Sequence, residues 1–112
     1  WCGGGMQLSS SNPTLNNVTI SNNTSRNVGG GISLVESNPT LNNVIISNNV
    51  GDYGGGMLLS NSNPILNNVN ILNNIAEYGS GMFLIYSNPM LYNVNISNNS
   101  AYYGGGMYFF SE

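Results

Sequence analysis

The chain has 112 residues, 40% of them hydrophobic and only 4% charged, against roughly 25% charged in an ordinary soluble domain. One Arg, no Lys, no His and four acids leave a net charge of −3. That excludes a Ser–His or Cys–His nucleophile pair, a histidine metal site, and a basic patch for nucleic acid or anionic membrane.

No apolar run reaches the length of a spanning helix, and no basic segment leads into an apolar one. The chain starts at Trp1 rather than Met, as a mature piece or an excerpt of something longer does. Cys2 has no internal partner, so it is a free thiol or a link to another molecule.

From Gly3 onward one unit recurs with a period of 25 residues. The copies are Gly3–Val28, Gly29–Tyr53, Gly54–Tyr78 and Gly79–Tyr103, and a fifth begins at Gly104. The first copy carries one extra residue, in the turn before Gly29. Each unit opens on a Gly triplet or Gly-Ser-Gly. Apolar and polar residues then alternate with the period-two pattern of a strand: Met6/Leu8, Ile32/Leu34, Met57/Leu59, Met82/Leu84 and Met107/Phe109.

Pro13, Pro39, Pro64 and Pro89 follow, where a strand interior would not tolerate them. Leu15, Leu41, Leu66 and Leu91 form the next inward column, and Val18/Ile20, Val44/Ile46, Val69/Ile71 and Val94/Ile96 the last. No segment has a helical apolar period. Three short strands and three turns per unit describe one coil of a β-solenoid, which buries its apolar positions only by stacking in parallel at about 4.8 Å. The expected fold is all-β: between four and five coils with uncapped ends, in one segment spanning 1–112.

The chain resembles the right-handed parallel β-helix repeat proteins of cell surfaces. It is similar to the chlamydial polymorphic outer-membrane protein repeats, which carry Gly-Gly-Ala-Ile and Phe-x-x-Asn. The first motif stands here as Gly-Gly-Gly-Met at Gly3, Gly54 and Gly104, and as Gly-Gly-Gly-Ile at Gly29. The second has Ile for Phe: Ile20…Asn23, Ile46…Asn49, Ile71…Asn74 and Ile96…Asn99. The resemblance implies a right-handed solenoid in a surface or secreted setting, and no activity.

None of the Gly triplets precedes a helix or a Gly-Lys-Ser/Thr, so they read as backbone turns and not phosphate loops. Two Asn columns are expected to form amide ladders along the stack. One is Asn23, Asn49, Asn74 and Asn99 at a strand end; the other is Asn17, Asn43, Asn68 and Asn93 at the Leu-to-Val corner. Five glycosylation sequons begin at Asn17, Asn22, Asn23, Asn95 and Asn98, as many as so Asn-rich a chain produces by composition.

Asp52 and Glu77 are equivalent residues of adjacent coils and sit in the variable turn. They read as solvated charges rather than a glycosidase pair or a Ca²⁺ site. The column Thr19, Ile45, Asn70, Asn95 is too irregular for an ice-binding array. Neither a cofactor nor a metal is expected, and no enzymatic activity.

On the outward side of the first strand the column runs Gln7, Ser33, Leu58, Phe83, Tyr108, and the next Ser9, Val35, Ser60, Ile85, Phe110. Both grow more apolar toward the C-terminal end, with Tyr53, Tyr78 and Tyr103 stacked beside them. This face is expected to be an exposed protein–protein interface, or failing that a sugar-stacking platform. Unpaired edges and Trp1, Phe109 and Phe110 at the ends favour association. The leading expectation is a structural, self-associating extracellular solenoid, a filament subunit whose partner is another copy of itself. The alternative is an adhesin segment of a larger cell-surface protein that binds host protein or glycan.

Overall fold

The computed structural model describes residues 3–111, so Trp1, Cys2 and Glu112, and with them the state of the thiol, lie outside it. The first coil holds β1 (Met6–Ser9), β2 (Thr14–Asn16) and β3 (Thr19–Ser21), and the second β4 (Ile32–Val35) and β5 (Thr40–Ser47). The third holds β6 (Met57–Ser60), β7 (Ile65–Leu72) and β8 (Ile75–Tyr78). The fourth holds β9 (Met82–Ile85), β10 (Met90–Ser97) and β11 (Ser100–Tyr103), and β12 (Met107–Phe110) opens a fifth. The described residues contain no helix.

Every pairing is parallel and joins equivalent residues of successive coils. The first sheet runs β1-β4-β6-β9-β12, and the second stacks β10, β7 and β5 on β2 and β3. A third side consists of β8 and β11, continued by the bridges Thr24↔Val50, Val50↔Ile75 and Tyr53↔Tyr78. The parallel β-solenoid expected from the period is therefore the fold.

Two details differ from the expected coil. The Leu and Val–Ile strands fuse into the eight-residue β5, β7 and β10. The ladder passes over Asn43, Asn68 and Asn93, whose positive φ of 55°, 55° and 52° bends the chain inside one strand. The segment before each Gly triplet, expected to be a turn, pairs as a third side, because stacking offers any extended segment a parallel partner one coil away.

The predicted inward columns form the core. Ile32, Leu34, Leu41, Val44, Ile46, Met57, Leu59, Leu66, Val69, Ile71 and Met82 have no exposed surface. The corners use residues that tolerate left-handed backbone: Asn17, Asn43, Asn68 and Asn93 at one, Asn22, Asn48, Asn73 and Asn98 at the next. At the corner after the first-sheet strand, Ser10, Glu36, Asn61 and Tyr86 take φ of 47–49°, which suits Asn and strains Glu and Tyr. Gly56 shows why a triplet needs Gly: a Cβ there would lie 2.7 Å from the Gly81 carbonyl oxygen and 2.9 Å from Ile71 Cγ2.

The Asn23–Asn49–Asn74–Asn99 column forms the expected ladder. The Asn49 side chain donates from Nδ2 to Asn74 Oδ1 at 3.1 Å, and its backbone N–H reaches the same oxygen at 3.0 Å. Asn74 repeats both bonds to Asn99 Oδ1, at 3.0 and 2.9 Å. Asn49 and Asn74 are fully buried, and Asn74 also donates to the Ile46 carbonyl at 3.1 Å. In the corner column the amides point the other way: Asn68 donates to Asn43 at 2.6 Å and Asn93 to Asn68 at 3.1 Å.

Further polar columns went unread in the sequence. Ser11, Ser37 and Ser62 each donate a backbone N–H to the hydroxyl of the Ser one coil on, at 2.9–3.0 Å. Asn42 and Asn67 donate to Asn16 and Asn42 at 2.9 and 2.8 Å.

Candidate functional site: an aromatic groove

The outward column does not form the exposed face expected of it. Leu58 is 0% and Phe83 5% exposed, and with Val28 they make a second apolar cluster against which Tyr78, Ile85 and Tyr108 pack. Alternation places these side chains outside the first sheet, but the third side then lays Tyr53 and Tyr78 across them. Of the predicted interface, Tyr53, Tyr103 and Phe110 are exposed, while Tyr78, Ile85 and Tyr108 are half-buried.

Between the third side and the first sheet lies a groove of about 880 Å³. Leu58, Phe83 and Tyr108 form its floor, Tyr53 and Tyr78 one wall, Ile85 and Phe110 the other, and Arg26, Asn27 and Val28 one end. Tyr103 stacks beyond Tyr78 and does not line it.

The rings form two interlocked ladders. Tyr53 stacks on Tyr78 at 5.4 Å between centroids and Tyr78 on Tyr103 at 4.9 Å, within 14° of parallel. On the floor Phe83 stacks on Tyr108 at 5.4 Å. The ladders meet edge-on, Tyr53 against Phe83 at 5.3 Å and Tyr78 against Tyr108 at 5.6 Å. Offset-stacked and edge-to-face pairs are the favourable aromatic geometries. Tyr78 therefore has a neighbouring ring on each face. Loss of solvent, then the Glu77 carboxylate and the neighbouring tyrosines, raises the Tyr78 phenol above its ordinary range, so it remains a donor.

Two breaks in the repeat fall at the groove's end. Coil 1 pairs with residues 26 later up to Thr24↔Val50, whereas Asn27 donates its N–H to an Asp52 carboxylate oxygen 25 later, at 3.0 Å. The extra residue thus lies at Ser25–Arg26, and it carries the chain's single basic side chain to the mouth of the groove. Val28 stands where later coils have Tyr53, Tyr78 and Tyr103. Ser33, in the floor column before Leu58, is fully buried, and its hydroxyl has no hydrogen-bond partner.

Asp52 and Glu77 are both exposed. Among the described residues no group of His, Cys, Asp and Glu is placed to hold a metal ion, and no helix is long and apolar enough to cross a membrane. Of the sequons, Asn23 has its amide engaged with Asn49.

Parallel stacking in register, amide ladders and an apolar interior define a β-solenoid repeat protein. The family model described as "Right handed beta helix region" matches residues 1–112, and the chain belongs to that family. Among curated proteins and among solved structures nothing matches. The family holds many non-enzymes and also enzymes such as pectate lyases, and its fold is consistent with a structural or surface repeat protein.

Proposed function

We propose that this chain is a non-enzymatic, structural β-solenoid of an extracellular or cell-surface protein, and that it holds a ligand in the aromatic groove. The groove carries the reading: it is a concave, largely apolar site. The Gly-Gly-Gly-Met and Ile-x-x-Asn motifs, which resemble those of surface β-helix repeats, support a surface setting. The test is methyl and amide NMR mapping with small organic probes such as n-butanol and phenol. Shifts concentrated at Val28, Leu58 and Ile85 are expected; scattered or absent shifts would refute the reading.

Self-association is the second reading, favoured by the last coil. Leu91 and Phe109 occupy inward columns yet are 38% and 65% exposed at the edges of β10 and β12, a surface that further coils or another copy would cover. β12 stands one strand beyond β10, so a copy seating β1 on β12 leaves β10 uncovered. Sedimentation of the chain and of Phe109→Lys decides it: concentration-dependent growth, a 4.8 Å fibre reflection and its loss in the variant support association. A monodisperse monomer at high concentration would end it.

A further inference from the structure

We propose that the groove takes a single-chain amphiphile with an anionic head, a free fatty acid, with the tail along the accessible lining of Tyr53, Ile85 and Tyr108 and the carboxylate at Arg26. This names the ligand class of the site proposed above and rests on that reading. The lining is mostly aliphatic and aromatic from Val28 of the first coil to Phe110 of the fifth, a little over three periods, or about 16 Å at the strand spacing. Length and apolarity together suit an extended tail.

The head is assigned by charge. The sole cation of the sequence lies at one end of this groove, brought there by the only length irregularity among the repeats, and the tyrosine column gives way to the smaller Val28 at the same place. The nearby Asp52 carboxylate accepts the Asn27 N–H and does not line the groove. At the far end Tyr108 and Phe110 offer no charge, so an anionic amphiphile has one favourable orientation.

The test titrates the chain with dodecanoate below its micelle concentration, with dodecanol and dodecyltrimethylammonium as comparators, read by calorimetry and by methyl shifts at Ile85. Dodecanoate is expected to bind one to one and most tightly. Arg26→Gln, on an exposed turn outside the core, should weaken dodecanoate about five-fold, the scale of one exposed ion pair, and leave dodecanol unchanged. Ile85→Glu should weaken both more than ten-fold while the circular dichroism stays native. Equal binding of the cationic comparator, or no effect of Arg26→Gln, overturns the assignment. So does binding to anionic vesicles without binding of free dodecanoate. Failure of dodecanoate while n-butanol still maps to the groove refutes the fatty acid alone; failure of every probe refutes the groove as a site.

Discussion

Truncating Asn74 to Ala tests whether the buried amide ladder is what holds the coils in register. The Asn74 oxygen accepts from Asn49 N and Nδ2 at 3.0 and 3.1 Å, and its amide donates to the Ile46 carbonyl and to Asn99 Oδ1. Without it the Asn49 N–H, one Asn49 amide hydrogen and the Ile46 carbonyl lose these partners in a fully buried setting. Each orphaned group costs roughly 1–3 kcal/mol, and partial relaxation brings the total to about 4 kcal/mol. For a chain near this size that corresponds to a fall in Tm of about 15–25 °C.

The control is Asn68→Gly, which breaks side-chain bonds to Asn43 and Asn93 on an exposed corner. Gly keeps the positive φ at no steric cost, and water replaces the lost bonds, so the change should stay under about 1 kcal/mol. Urea and thermal unfolding followed by far-UV circular dichroism measure both. Equal shifts in the two variants would refute the claim that burial, rather than ladder formation itself, sets the energy.

Three further outcomes follow from single residues. Ser33→Ala removes a buried hydroxyl without a partner and should stabilise by about 1 kcal/mol, seen as a higher urea midpoint at unchanged slope. Tyr86→Asn places at φ 49° the residue that Asn61 already supplies one coil earlier, and should gain roughly 0.5–1 kcal/mol, since left-handed backbone penalises most side chains by about 1–2 kcal/mol. Tyr78 titrates above its ordinary value in the fold, so the folded chain binds more protons than the unfolded one at alkaline pH. Its contribution is intact below about pH 10 and is lost as pH rises through the folded value. The unfolding midpoint should fall there in the parent and less in Tyr78→Phe; the same decline in both would refute the assignment.

The corner and ladder asparagines were legible because each recurs at one place in the period, and stacking turns recurrence into contact. The Ser11, Ser37, Ser62 and Ser87 column is equally periodic, but beside Pro13, Pro39, Pro64 and Pro89 the period alone does not distinguish a hydroxyl that accepts from the next coil from a residue that merely leads into a chain break. Leu58 and Phe83 were assigned to the correct side of the sheet and the wrong exposure. Period-two alternation fixes which face a side chain takes; it carries no information about what another segment lays over that face.

The order of residues thus determined the 25-residue coil, its parallel register and its inward columns, since those depend only on like residues falling one period apart. Tertiary structure alone decided that the third side folds over the first sheet, buries Leu58 and Phe83, and leaves a groove with Arg26 at its mouth. The physical reason is that the angle between sides depends on corner dihedrals and close glycine contacts, which no pattern of apolar residues encodes.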